Sequence, residues 1–519
     1  MRRLTPGMPD LVFGVVLVTV LIGGRTGLLN DPGTFWHVRL GREIMRTGDV
    51  PRFDTLTYTK ERTPWVDQSW AFDLALAAVV DRGGWSTAIA VTSLALAAFY
   101  GSLARRLMRE GIAPIIAAVV TILVVGMSTI HFLIRPHLFT LLFVFWMLQL
   151  CQRQHERGGW TILLAPWLMV PWANIHGGFL AGPLILLTAG FGHAISGPWN
   201  ESKKRNLLIF AAAFVLCLLT PLINPYGIGL YRHVFHLLRT SGVTQLIQEY
   251  QPIPFGKPEF RVVEWFILAL IALPTFSSRR MSRYDLTHSL VWLHFALGSV
   301  RHVPLFAIVV APGLAKLLDG LPLASRDLGR NSARWTLWPM AISAGVFLAL
   351  VSGISFGGFS PEKWPLNSLA ILDQQPVESR LFHEQDWGGL IEAECRPVRQ
   401  AYVDDRFELF GKASLLNYFN ALQGGPDWDE LQAQEQFRLV WIKPERGLAK
   451  RLTADPQWQT LSRDSVSVLF GRKADQPGQR SSDQALGKIR VRSDNTNSSG
   501  GVPRRGTPPD TSALESPLD

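Results

Sequence analysis

The side chains best suited to move protons or grip an anion fall in alternate gaps between long apolar stretches of this chain. They are Asp31, His37, Asp54, Asp67, Arg135, His137, Asn174, His176, Asn224, Tyr226, Arg301 and His302. A carboxylate such as Asp31 can take a proton from an acceptor hydroxyl. An arginine presents a rigid fork that matches phosphate oxygens and never loses its charge. Histidine adds a donor or acceptor that titrates near neutrality. Such groups gathered on one side of a membrane describe an enzyme or a transporter whose working face lies opposite the cytoplasm.

The elements that must position them are apolar helices. The chain is 48% hydrophobic and 18% charged, and its apolar content lies in blocks. Windows 112–134, 207–223 and 335–356 approach the roughly 20 residues that span a bilayer, and shorter ones can be accommodated by tilt and local thinning. About eleven spans are predicted, near 9–26, 86–104, 112–134, 137–152, 160–174, 178–196, 207–223, 262–276, 286–300, 303–318 and 335–356. Many tryptophans stand at segment ends, among them Trp36, Trp65, Trp70, Trp160 and Trp172, as interfacial anchors do.

The connections 105–111, 153–159, 197–206, 277–285 and 319–334 carry Arg and Lys with few acids. Positive loops stay cytoplasmic, so the N-terminus is predicted inside and the chemistry-bearing gaps outside. With eleven spans the C-terminal part also lies outside. The net charge of +10 then reflects orientation and anionic lipid, and no nucleic-acid partner is expected. The Met-Arg-Arg start followed by 11–21 reads as a signal peptide or a retained first helix. Without a small-residue cleavage site and with many spans following, a retained helix is expected. Cys151, Cys217 and Cys395 lie too far apart for a disulfide framework or zinc spacing.

The expected organisation is a transmembrane region at 1–356 with external loops 27–85 and 224–261. A small external α/β domain follows at 365–472, then a disordered tail at 473–519. In the first loop, Asp31-Pro32 reads as a helix start, opening a helix over 34–45. A second helix over 67–80 is too short and charged to span, so both are read as lying in the interface. In the α/β domain, strands are predicted at 380–383, 400–403, 437–442 and 465–470, alternating with helices at 413–421, 427–434 and 446–453. The Ser-, Gly- and Pro-rich tail has no periodic apolar residues.

The run Asn30-Asp31-Pro32-Gly33-Thr34-Phe35-Trp36-His37-Val38-Arg39-Leu40-Gly41 is followed by Pro51-Arg52-Phe53-Asp54 and Pro64-Trp65-Val66-Asp67-Gln68-Ser69-Trp70. This ordering resembles a broad group of bacterial polytopic membrane proteins that look like distant relatives of the GT-C glycosyltransferases, which include protein O-mannosyltransferases and aminoarabinose transferases. Arg135-Pro136-His137, Trp172-Ala173-Asn174-Ile175-His176-Gly177-Gly178, Asn224-Pro225-Tyr226-Gly227, Arg301-His302-Val303-Pro304, Trp387-Gly388-Gly389 and Val403-Asp404-Asp405-Arg406 fit the same group. The resemblance covers about 10–472. It implies a GT-C-like fold in a bacterial inner membrane, and inverting transfer from a polyprenyl-phosphate sugar to an envelope glycan, lipid or protein. The partners it implies are that lipid-linked donor, membrane lipids and the acceptor. Many GT-C enzymes carry two adjacent acids in the first external loop. Here Asp31 is followed by Pro32 and Gly33, so a metal-holding pair is not evident, and no metal or other cofactor is expected.

On that reading Asp31 is the acceptor base, with Asp54 and Asp67 as rival acids. Arg135 and Arg301 hold the donor phosphate, while His37, His137, His176 and His302 position substrate. Each has a plainer role beside it. Asp31 can cap the following helix, Asp54 and Asp67 can serve turns, and the arginines can be snorkelling anchors. His176 and the Asn224-Tyr226 corner can be tight turns. Asp404-Asp405 can bind acceptor or fix the external domain against the membrane region. Two other classes stay open: a transporter or lipid flippase, which would show repeats and broken helices at mid-membrane depth, and a non-catalytic scaffold for envelope assembly.

Overall fold

The computed structural model describes residues 5–23, 27–239, 242, 247–322 and 333–473. The expected tail beyond 473 lies outside the described residues, as do Arg326 and Arg330 of the predicted 319–334 connection. Met1–Arg472 forms one compact unit, mostly helical with one small sheet.

Among the described residues, five helices are long and apolar enough to cross a membrane: Trp70–Arg109, Pro114–His131, Gly177–Ala194, Glu201–Leu222 and Val300–Asp319. Shorter apolar helices run over Met8–Gly23 (α1), Thr161–Ile175 and Trp338–Val351. Their outward faces are apolar as well. On α4 (Pro114–Ser128), Ile115, Val119, Ile122 and Leu123 are exposed while Ala117, Val120 and Val124 are buried. A helix apolar all round belongs in lipid rather than water, and these helices mark the chain as a membrane protein.

In the first loop, α2 (Gly33–Thr47) lies close to the predicted 34–45 and closes on Gly48 in the left-handed conformation, φ 77°. The predicted helix 67–80 and span 86–104 are joined as α3 (Trp70–Arg109), interrupted only by the non-helical Gly84 at φ 69°, ψ 179°. The helix starts at Trp70 rather than 67 because Asp67 spends its carboxylate on the turn, accepting the Ser69 N–H at 3.1 Å. α2 lies hard against α3. A Cβ on Gly41 would stand 2.0 Å from the Asp73 carbonyl oxygen.

The sheet has the order β1-β2-β4-β3, with β1 (Leu381–His383) parallel to β2 (Leu439–Ile442) and the other pairs antiparallel. β4 spans Val468–Arg472 and β3 Trp458–Arg463, a strand the sequence reading missed. The predicted strand 400–403 is not in the sheet. Ala401 instead bridges Thr57 of the first loop, with the Tyr58 N–H on the Ala401 carbonyl at 3.1 Å and the Ala401 N–H on the Leu56 carbonyl at 3.0 Å. Alternate residues of each strand face opposite sides. Phe382, Val440, Ile442, Val468 and Phe470 build one core, while Leu381, Leu439, Trp441 and Leu469 build another that includes Phe35 of α2 and Trp364. The first loop thus inserts into the sheet's own core.

The pair Gly388-Gly389 makes this docking possible. A Cβ on Gly389 would sit 2.5 Å from the Pro32 carbonyl oxygen, and one on Gly388 would sit 2.4 Å from that of Val403. The helix Gly388–Glu394 therefore rests directly on the backbone of the Asp31-Pro32 corner.

Candidate functional site

Three separated motifs converge on Arg135. Its Nη1 donates to Asp31 Oδ1 at 3.0 Å and its Nη2 to Asp405 Oδ2 at 3.3 Å, while Glu249 Oε1 lies 4.0 Å from Nη1. Asp31 also caps α2, its Oδ2 accepting the Thr34 N–H at 3.0 Å. Pro32 already has helical φ and ψ, so it is the first helical residue, as expected. Asp405 Oδ1 accepts the Trp36 indole N–H at 2.7 Å. Gly33 is required here, since a Cβ would come within 2.7 Å of Arg135 Nη2 and 2.8 Å of Asp405 Oδ2.

One guanidinium facing three carboxylates sets the electrostatics. Burial pushes the Asp31 carboxyl up against the pull of Arg135, and burial raises Asp405 to about 7 despite the same partner. Burial also opposes the charge of Arg135, but Asp31, Asp405 and Glu249 outweigh it and hold the guanidinium more firmly charged than usual. For Glu249, burial opposes ionisation too, yet Arg135 and Arg301 together hold it at about 2.

A second buried cation ties the same elements together. Arg406, 3% exposed, donates through Nη2 to Asp54 Oδ1 at 2.8 Å and to Asp404 Oδ2 at 2.5 Å. It lies 4.7 Å from the centre of the Trp65 ring. Asp54 further accepts the Leu56 and Thr57 N–H groups at 3.2 and 3.1 Å, so this acid is a loop organiser. His37 and Asp73 form a third pair, Nδ1 to Oδ1 at 2.6 Å, both fully buried between α2 and α3. Burial, with Arg135 nearby, drives the His37 ring well below the usual range and keeps it neutral. Asp67 is buried beside this pair, and its own burial raises it to about 6.

Arg135 itself borders a cavity of about 190 Å³ that is otherwise apolar, with Phe72, Leu96, Leu138 and Phe139 in its wall; a more polar one lies beside Glu249. This second cavity, of about 430 Å³, is lined by polar residues, among them Gln68, His131, His137, Thr140, His176, Glu249, Tyr250, Arg301 and His302. Apolar residues, among them Leu141, Leu184, Val234, Leu237, Leu238, Phe295 and Leu305, complete its wall. The polar residues stand at ends of helices: His131 closes Pro114–His131, His137 opens α5 (His137–Arg157), His176 precedes Gly177–Ala194, and Arg301 and His302 open Val300–Asp319. The apolar lining comes partly from further along the same helices and from Arg283–Gly298, and partly from Val234, Leu237 and Leu238 of the helix Ile228–Arg239. Such a space suits an amphiphile with a polar head and a greasy tail.

Partners assign the histidine tautomers. His176 Nδ1 accepts the Gly178 N–H at 3.1 Å and sits 2.8 Å from Thr140 Oγ1. Thr140 Oγ1 already accepts the Trp172 indole N–H at 2.9 Å, so its own hydrogen points at His176 Nδ1. The proton of neutral His176 is therefore on Nε2, a donor at the cavity. His137 Nε2 lies 2.7 Å from the His131 carbonyl oxygen and must donate to it, leaving Nδ1 as the lone-pair nitrogen. His131 Nε2, His302 Nδ1 and Trp292 Nε1 are buried without a hydrogen-bond partner among the described residues. Orphaned polar groups on a cavity wall are groups that a ligand can satisfy.

The two arginines separate in role. Arg135 is engaged by protein carboxylates. Arg301 has no carboxylate within 4.0 Å among the described residues and instead lies over the Tyr250 ring at 4.4 Å. Of the expected site residues, His137, His176, Arg301 and His302 line the cavity. Asp31 and Arg135 adjoin it through Glu249, whereas His37, Asp54 and Asp67 belong to the buried network. Asn174 and Tyr226 serve that network as well: Asn174 Oδ1 accepts the Trp70 indole N–H at 2.8 Å, and the Tyr226 hydroxyl donates to the Pro51 carbonyl at 2.6 Å. Sequence reasoning missed Glu249, which nothing in its local spacing distinguishes. Among the described residues, no group of three or more His, Cys, Asp or Glu side chains is arranged to hold a metal ion. No known family model matches this chain, and no curated protein matches it.

Proposed function

We propose that this protein is a membrane glycosyltransferase of GT-C-like architecture. It takes a sugar from a polyprenyl-phosphate donor and transfers it to an envelope acceptor on the outer face of a bacterial inner membrane. In this reading the chain crosses the bilayer about eleven times with its N-terminus inside and the sheet-containing region outside. The carrying observation is the cavity that brings Arg301 and four histidines together with an extensive apolar lining. A lipid-linked phosphate is an anion on a hydrocarbon chain, and it matches both kinds of lining.

Arg301 anchors the donor phosphate, because its fork meets no carboxylate within 4.0 Å among the described residues and lies over the Tyr250 ring. His176 Nε2–H donates to the phosphate or to a sugar hydroxyl. Arg135 and Asp31 act one layer out, fixing the first loop against the sheet so that the cavity keeps its shape. Asp31, with both oxygens occupied, is a poorer acceptor base than the sequence suggests. The testing experiment is an envelope-glycan profile of a strain lacking this protein, read beside binding of undecaprenyl phosphate by the purified protein. Loss of one glycan modification together with binding supports the reading. An unchanged profile removes it.

A further inference from the structure

We infer that Glu249 is the group that takes the acceptor's proton in the proposed transfer, an inference that rests on the reading above. The assignment comes from the company each carboxylate keeps. Asp31 holds Arg135 with one oxygen and the Thr34 N–H with the other. Asp405 is divided between Arg135 and Trp36, Asp54 serves Arg406 and its own turn, and Asp67 is fully buried. Among the described residues, Glu249 is the carboxylate that lines the cavity, and its side chain keeps 35% of its surface accessible.

Its placement relative to the phosphate anchor is fixed by backbone bonds. The Glu249 carbonyl accepts the Ser299 hydroxyl at 2.8 Å, and the Gln251 carbonyl accepts the Val300 N–H at 3.0 Å. These fasten the turn Gln248–Tyr250 to the turn Val300–His302 that carries Arg301. Tyr250, the next residue, supplies the ring beneath Arg301. Base and anchor therefore ride on two short turns that move together.

The chemistry balances. The acceptor oxygen attacks the anomeric carbon and forms the glycosidic bond. The bond from that carbon to the phosphate oxygen breaks, and its electron pair leaves with polyprenyl phosphate at Arg301. The acceptor's proton passes to the Glu249 carboxylate. A base must begin ionised, and the two arginines keep Glu249 so. A phosphate bound at Arg301 cancels part of that positive field, which raises the carboxylate's affinity for a proton when the donor is in place.

The test combines two readouts on Glu249→Gln, Glu249→Asp and His137→Gln: binding of undecaprenyl phosphate to purified protein in nanodiscs, and rescue of the envelope-glycan profile in the deletion strain. Glu249→Gln is expected to bind the lipid phosphate within about threefold of wild type and to give no rescue, while Glu249→Asp folds and rescues in part. Full rescue by Glu249→Gln overturns the assignment. So does a loss of lipid binding of about tenfold or more, which would make Glu249 a support for the arginines. Loss of rescue in His137→Gln with rescue retained in Glu249→Gln would place the base at His137 Nδ1. If the deletion strain itself shows no altered glycan, the transferase reading fails first, and the arms separate the two failures.

Discussion

Arg135 Nη2 meets Asp405 Oδ2 at 3.3 Å across 270 positions of sequence, and the same guanidinium holds Asp31 at 3.0 Å. This contact fastens the sheet-bearing region to the loop between the first two apolar helices. Removing the cation strands carboxylates that have little access to water. Arg135→Ala is expected to destabilise the protein by about 3 kcal/mol, the low end for a broken buried pair, because the arginine side chain is 24% exposed. Arg135→Lys keeps the charge without the fork and should recover only part. Thermal unfolding of the protein in detergent checks both, and an unchanged midpoint for Arg135→Ala contradicts the role.

Arg406 is the more deeply buried of the two cations, held by Asp54 and Asp404 beneath Trp65. Its removal leaves two acids unpaired in the interior. Arg406→Ala should cost about 3–5 kcal/mol, more than Arg135→Ala, and should expose the 53–64 loop to limited proteolysis. A loss smaller than that of Arg135→Ala would mean that water reaches this cluster.

The pH dependence of stability should carry the mark of Asp405. Burial raises its carboxyl to about 7 in the folded protein, whereas an unfolded aspartate titrates near 4. An acid raised on folding keeps its proton where the unfolded chain has already released it. Its stabilising contribution is therefore full below about pH 4 and is lost as pH rises towards about 7. Wild type should lose unfolding temperature relative to Asp405→Asn between those limits. Parallel pH profiles would show that Arg135 keeps Asp405 ionised throughout.

Close approach of α2 and α3 makes Gly41 intolerant of a side chain. The Cβ of Gly41→Ala would meet a backbone carbonyl, that of Asp73, which cannot swing away. Overpacking of this kind costs about 1–3 kcal/mol, and it should also lengthen the His37–Asp73 contact. The imidazole resonances of His37 and the unfolding midpoint report the two effects. A fully wild-type Gly41→Ala would contradict the packing.

Much of the framework is legible before the structure, and the reasons differ by element. Apolar blocks announce the membrane helices, because lipid demands a run of apolar residues whatever the partners; of the tryptophans read as interfacial anchors, Trp36, Trp65 and Trp172 are instead buried in the protein. Asp31-Pro32 announces the start of α2, because capping is local chemistry. The strand predicted at 400–403 fails for the opposite reason: Ala401 pairs with Thr57, a partner chosen by tertiary docking and invisible in local pattern. β3 escapes notice because its exposed residues give it no apolar signature. The motif residues Arg135, Asp31 and Asp405 are visible as unusual polar groups, yet nothing in the chain says that they satisfy one another. Glu249 is hidden altogether, since a single acid in a loop is ordinary until the fold sets it between two arginines.

Arg301, as an anion anchor in a cavity with a large apolar lining, carries the proposed function most directly. The decisive measurement is the affinity of purified protein in nanodiscs for undecaprenyl phosphate, compared between wild type and Arg301→Gln. A charged hydrogen bond to phosphate is worth about 1.5–3 kcal/mol, so the substitution should weaken binding by roughly tenfold to a hundredfold. Equal affinity in the two proteins, or no preference of wild type for undecaprenyl phosphate over undecaprenol, would contradict it.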